Sequence, residues 1–283
     1  MGSFSVIIAV FNRSDFLRKS LLCLRHQSIR PDEVIVSDDG SSEDILQSLR
    51  IEATSLDLKV KYVRQEHRGF RLSKVRNNAV RHAAGEHLIF FDQDIIYTND
   101  FLKTFVRNVR PRTFLVSWPI RLTEEQTARV YDELIVAGNY SGIVTPKQKQ
   151  EVVKQYRKEL LYHYLKKWRL RQIGPKLRGG LFLVNREDYY RVNGFDEQYQ
   201  GWGNEDDDLG RRLHQSGVIG CNPFRDEYPL HLYHPPYREG EKRVNQAYYL
   251  KRKAEIHQQN RYRCEFGLEA PLPDEPLLYV EVN

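Results

Sequence analysis

Long apolar runs are missing from this chain. No stretch approaches the roughly 18–20 consecutive apolar residues that a bilayer-spanning helix needs. Cysteine is scarce: Cys23, Cys221 and Cys264 are odd in number and far apart, which argues against a disulfide scaffold or a zinc cluster and fits a reducing cytosol. The glycine-rich phosphate cradles are absent too. Without Gly-x-x-x-x-Gly-Lys-Ser/Thr or Gly-x-Gly-x-x-Gly, the chain lacks what ATPases and dinucleotide enzymes use to hold phosphates. Internal repeats and low-complexity tracts are also lacking. The N-terminus runs straight into strand-like sequence at 4–10, so no signal peptide is expected and a cytoplasmic setting is.

What is present is an ordinary globular composition, 40% hydrophobic and 29% charged over 283 residues, enough for one large α/β domain with appendages or for two small domains. The net charge of +6 is unevenly placed. Residues 147–178 hold eleven Lys or Arg against two Glu, a local excess larger than that of the whole chain. Such a segment suits anionic lipid, an acidic acceptor or nucleic acid. The modest overall charge and the lack of any nucleic-acid motif argue against the last.

The first part of the chain alternates strands and helices. Residues 5–11 are β-rich and apolar on both faces, as a central parallel strand is. Residues 12–15 break that strand and supply cap residues for a helix running through Leu24. Strands at 33–37, 58–63 and 87–92 alternate with helices at 45–49 and 72–84, which predicts a doubly wound parallel sheet. Ligands bind such sheets outside the C-terminal strand ends, where Phe11-Asn12, Asp38-Asp39 and Asp92-Gln93-Asp94 all fall. Beyond lie a strand at 114–118, helices at 124–131 and 151–171, a strand at 179–184, a short helix at 187–192 and a helix opened by 201–209. Residues 229–236 close the compact part, followed by a polar helix at 244–262 and a tail.

Asp92 and Asp94 end an apolar run one residue apart, so strand alternation starts them on one side. Closely spaced hard oxygen donors beside open positions are what a divalent cation and its phosphate ligands need; a plain polar turn is the alternative. His231 and His234 offer a third ligand, and an imidazole would favour Mn²⁺ over Mg²⁺. In Gly201-Trp202-Gly203-Asn204-Glu205-Asp206-Asp207-Asp208, the glycines permit a sharp turn beside the indole. Helix capping accounts for one or two of the four acids; a carboxylate held among charges near a substrate is what general-base catalysis requires. Arg68, Arg71, Lys74 and Arg76 at a helix start read either as a diphosphate clamp or as a solvated basic face.

Together these residues resemble a known family. Residues 6–13, 36–42, 69–77 and 91–94 are similar to the successive signatures of family 2 glycosyltransferases with the GT-A fold, a Rossmann-like, mostly parallel sheet flanked by helices. Residues 193–197 and 201–207 resemble the C-terminal half of β-1,4-galactosyltransferases and bacterial chondroitin-polymerase-type enzymes. The resemblance implies an inverting, metal-dependent transfer of a hexose, galactose or N-acetylgalactosamine or a relative, from a nucleotide-sugar donor to a saccharide or lipid-linked saccharide in bacterial surface polysaccharide or glycolipid synthesis. It favours UDP and Mn²⁺ or Mg²⁺, and it leaves open a peripheral contact with the inner membrane face. It also implies three parts: a nucleotide-sugar half at 1–118, an acceptor half at 119–240 with the basic insertion 147–178, and a helix and tail at 241–283. Carried over by position, Phe11 would pack on the nucleobase, and Asp39 with Asp38 would bind uracil or ribose. Arg76, with Arg71 as second candidate, would lie near the diphosphate, and Asp92 would contact ribose or donor sugar. Asp94 would be the main metal ligand with His234, a better match than His231. Trp202, Gly203 and Glu205 would line the sugars, and Asp206 would be the catalytic base. Ala9 and Phe11 depart from the family's proline and tyrosine, and the basic segment has no counterpart in its motifs. A retaining GT-A transferase, a nucleotidyltransferase and a non-catalytic carbohydrate-binding module are the competing readings; the second would need a glycine-rich N-terminal loop with a lysine, which is lacking. Tyr156, Leu160, Leu161, Tyr164, Leu165 and Trp168, at helical spacing within the basic segment, are expected to pack on the body, with an interfacial helix as the alternative.

Overall fold

Strand β1 (Phe4–Val10) is buried at every position, and its alternate residues feed two different cores. Val6, Ile8 and Val10 belong to one hydrophobic cluster and Ile7 to another, as period-two side chains of a doubly covered sheet must. The computed structural model describes residues 2–56, 58–235, 244–273 and 276–283. After β1 come α1 (Ser14–Arg25), β2 (Glu33–Asp38), α2 (Ile45–Leu56), β3 (Val60–Arg64), α3 (Leu72–Arg81) and β4 (His87–Asp92). Then follow β5 (Ile95–Ile96), α4 (Phe101–Asn108), β6 (Thr113–Val116), β7 (Ile120–Arg121), α5 (Glu124–Ala128), α6 (Asp132–Ala137) and α7 (Pro146–Lys167). The chain continues through β8 (Leu181–Asn185), α8 (Arg186–Arg191), α9 (Glu205–Gln215), β9 (Ile219–Cys221), β10 (Leu230–His231), α10 (Gln246–Gln259) and β11 (Leu278–Glu281).

The main sheet has the order β11-β3-β2-β1-β4-β8-β6-β9. Strands β3, β2, β1 and β4 are parallel neighbours, as the alternating pattern predicts. The sheet is not parallel throughout. β8 runs antiparallel between β4 and β6, and β11 runs antiparallel to β3. A sequence scan sees strands but not their direction, and the tail strand β11 lies in a segment that reads as irregular. Because β8 pairs with β4, the halves expected at 1–118 and 119–240 share one sheet; the expected boundary at 240, like Pro236, lies outside the described residues.

Two local expectations change. Residues 12–15 do not cap α1 with their own side chains: Arg13, in the left-handed region, is the N-cap, and Glu43 accepts from the backbone N–H of Arg13 and of Ser14. The helix expected at 124–131 is shorter, α5 ending at Ala128, and a separate helix α6 follows from Asp132. Among the described residues no helix is long and apolar enough to cross a membrane.

The second sheet, β5-β10-β7, is small but positions the site. Its register sets Ile95 opposite His231, and the Leu232 N–H donates to the Asp94 carbonyl at 2.9 Å. Residues far apart in sequence are thereby brought side by side just past the end of β4.

Candidate active site

Past the end of β1, Phe11 is partly exposed and stacks on His67, ring centroids 4.5 Å apart. Gln93, the middle residue of Asp92-Gln93-Asp94, pins this loop: its side chain accepts from the Phe11 N–H at 3.1 Å and donates to the Phe11 carbonyl at 3.3 Å. Asp39 accepts from the Gln65 amide at 2.5 Å and from the Arg71 N–H at 3.2 Å, and burial pushes its carboxyl up. Gly40, at φ 76°, passes so close to the His67 backbone that a Cβ would overlap it. Asp38 turns inward. It is fully buried, with its oxygens taken by the Ser41 N–H and hydroxyl and by the Tyr62 hydroxyl. Its place in a nucleoside contact is therefore corrected to shaping the loop that presents Asp39.

Arg76 also departs from expectation. Its guanidinium is 1% exposed and bridges two carboxylates, donating to Asp206 and to Asp92 at 2.9 Å each. Engaged this way, it clamps together residues 92 and 206. Arg71 is likewise buried, and its guanidinium donates to the Glu66 carbonyl. Both guanidinium groups are engaged by the protein's own oxygens.

The turn before β8 wraps the same carboxylates. A Cβ on Gly179 would overlap Asp206 Oδ2, and one on Gly180, at φ 89°, would overlap Asp92 Oδ2. The Gly180 carbonyl accepts from the Asp92 N–H at 2.9 Å. Only glycine allows this approach. The pair reads in sequence as the start of a strand, so its role was missed; two glycines before a buried strand are the signal that pointed to it.

Helix α9 begins with four acids, and the structure divides them. Asp207 pairs with Lys176 and Arg211, and Asp208 with the buried Arg212. Glu205 and Asp206 turn to the site. Burial pushes the Asp206 carboxyl up, Arg76 pulls it down and Asp92 pushes it up again. Glu205 is raised to about 7, by burial first and then by the negative charge of Asp206, and its Oε2 is buried without a hydrogen bond. The preceding turn runs through Gly201, Gly203 and Asn204 at φ 83°, 107° and 76°. It is held by the Gly201 N–H donating to the Phe70 carbonyl and by the Asn245 amide donating to the carbonyls of Gly201 and Gly203. The indole of Trp202 is left 45% exposed at the lip. The motif at 193–197 is structural here: Glu197 binds Asn77 and Arg81, and Asp196 binds Tyr248.

Asp94, His231 and His234 form one cluster, with ligand atoms all within 4.8 Å of one another. Asp94 lies 3.0 Å from His234 Nε2 and 3.6 Å from His231 Nε2. Sequence alone left a choice between the histidines; the β5–β10 pairing brings both. The donor set fits a divalent cation on two observations. Asp94 Oδ1 is buried with no hydrogen-bond partner. Each ring also sets its Nδ1 2.9 Å from a backbone carbonyl, of Leu232 and of Pro235, which turns both Nε2 atoms toward Asp94. Fixing Nδ1 on a carbonyl is how ligating histidines are held.

The family model described as "Glycosyl transferase family 2" matches residues 5–189, and that described as "N-terminal domain of galactosyltransferase" matches residues 159–235. A chondroitin synthase of Escherichia coli is 30% identical over 84% of this chain and 35% of its own length. The chain spans a quarter to a half of the length of the first curated relatives it matches. Among solved structures, the fold is similar to that of GalNAc-T7 with UDP, GalNAc and Mn²⁺ (TM-score 0.61, 19% identity, 90% of this chain and 48% of that one). It is also similar to a mannosyltransferase from Pyrobaculum calidifontis with GDP-Man and Mn²⁺ (TM-score 0.58, 17% identity, 92% and 71%).

Proposed function

The chain belongs to glycosyl transferase family 2, and on that premise we propose an inverting, divalent-cation-dependent transfer of a hexose from a nucleotide sugar to a saccharide hydroxyl. The family match shows a glycosyltransferase, and the structural neighbours show the GT-A fold. The observation that carries the finer reading is the clamp: one buried guanidinium holding Asp206 against Asp92 under a glycine turn.

In this reading Asp206 takes the proton of the acceptor hydroxyl. The acceptor oxygen forms a bond to the anomeric carbon as the bond to the nucleoside diphosphate breaks on the opposite face, so an α-linked donor gives a β-glycoside. A carboxyl raised by burial is a better base than a solvated one. Arg76, bonded to Asp206 Oδ1, fixes its rotamer. Glu205 and Trp202 receive the sugar hydroxyls and ring, Phe11 the base, and Asp39 the uracil or ribose. Asp92 keeps Oδ2 for the donor. Asp94, His231 and His234 would hold Mn²⁺ or Mg²⁺, which when bound neutralises charge on the diphosphate.

UDP-galactose, UDP-N-acetylgalactosamine or a related donor, and an acceptor in bacterial surface polysaccharide or glycolipid synthesis, are the substrates this reading favours, supported by the resemblance to a chondroitin synthase. We place the activity in the cytoplasm, in keeping with three free cysteines. A panel of UDP- and GDP-sugars assayed for donor hydrolysis in Mn²⁺, followed by NMR of the product's anomeric centre, tests it. Retention of configuration, or no hydrolysis of any donor, would overturn the reading.

A further inference from the structure

The apolar stripe of the basic segment is divided: Tyr156, Leu160 and Leu165 are half-buried, and Leu161, Tyr164 and Trp168 face outward. Helix α7 buries Val152 and Glu159, whereas Leu161, Tyr164 and Trp168 are 55%, 40% and 63% exposed and Leu170, just beyond the helix, is 73% exposed. At 3.6 residues per turn, Lys154, Arg157, Lys158, Leu161, Tyr164 and Trp168 share one face, and all six are exposed. Lys167, Arg169 and Arg171 are exposed beside it. The acids of α7 are Glu151, near its start, and the buried Glu159. No carboxylate of the described residues lies in ion-pair distance of Lys154, Arg157, Lys158, Lys167 or Arg169.

We propose that this outward face of α7 docks on an anionic lipid surface, with Trp168, Leu161 and Leu170 entering the interface and the flanking cations meeting the headgroups. Cations alone would suit any polyanion. Leucines this exposed gain nothing from a phosphodiester backbone but do gain from a bilayer interface, and a tryptophan flanked by Lys and Arg is how an interfacial helix is built. The capping box of Thr145 and Gln148, with Pro146 at the first turn, fixes the helix start. His163, bonded to the Gly220 carbonyl at 2.8 Å, ties the helix to the body. The segment then runs on to Gly179 and Gly180, so docking would set the catalytic edge beside a lipid-linked acceptor. That last consequence rests on the proposed transfer, whereas the docking itself does not.

Flotation of the full chain with vesicles of phosphatidylcholine, with and without phosphatidylglycerol, tests the docking without any donor. The chain should float with the anionic vesicles and not with the neutral ones, and should be released by high salt. Lys154→Gln, Arg157→Gln and Lys158→Gln together should weaken partitioning roughly a hundredfold. Trp168→Ser with Leu170→Ser should weaken it at least about tenfold, with thermal melts and donor hydrolysis in solution unchanged in both variants. No flotation with anionic vesicles, or flotation that neither variant alters, overturns the proposal. So does a dimer on a sizing column that Trp168→Ser dissociates, since the face then belongs to a second copy.

Discussion

At the scale of the residue, Glu205 makes a prediction separable from catalysis. Burial and Asp206 raise its carboxyl to about 7, against roughly 4.3 in an unfolded chain. Between those values the native state holds a proton that the unfolded state has lost, so stability falls as pH rises from about 4 through 7, by roughly 4 kcal/mol at most. Glu205→Gln should remove that fall. Urea denaturation should show the variant more stable than the parent at pH 8 and nearly equal to it at pH 4. A parallel offset at both pH values would show that Glu205 is not the group. Asp206→Asn keeps size and removes the base. It should lower transfer by roughly 10²–10⁴-fold while nucleotide binding, followed by calorimetry, changes little. Asp94, Asp206 and His234 stand out in the sequence as candidates because chemically telling residue types cluster within short motifs. The inward turn of Asp38 and the clamp of Arg76 do not, since their partners Tyr62 and Asp206 lie far along the chain.

At the scale of the element, the turn into β8 is where backbone and catalysis meet. Gly180→Ala would place a Cβ on Asp92 Oδ2 at φ 89°, a left-handed strain of about 1–3 kcal/mol. The expectation is a lower melting temperature together with a loss of transfer larger than the stability change explains. Full activity with an unchanged melt would show that the turn has room. Parallel strands were readable as apolar runs ending in polar clusters. The face of α7 was not, because periodicity reports that a stripe exists but not whether anything covers it. The antiparallel course of β8 was equally hidden, since direction is set by the connection and not by the strand's own residues.

At the scale of the whole molecule, the second sheet joins Asp94 to both histidines. His231→Ala should therefore weaken Mn²⁺-dependent nucleotide binding as His234→Ala does, with Asp94→Ala weakening it most; titration of UDP with and without Mn²⁺ gives the comparison. Full activity in EDTA with a clean metal-free preparation would remove the cation from the account. The sequence offers His231 and His234 as alternatives; that both approach Asp94 depends on a two-residue strand pairing.

The edge of the main sheet carries a consequence for biosynthesis. β3 pairs on its outer side with β11, Arg64 opposite Leu278. A ribosome adding about 5–20 residues per second needs on the order of ten to forty seconds to make the roughly 200 residues between them. For that interval the nascent chain presents β3 as an unpaired edge, the kind that recruits other strands. β11, made long after β3, is the strand that ends the exposure. A chain cut before residue 276 should keep the catalytic edge yet aggregate as it is synthesised, visible as loss from the soluble fraction.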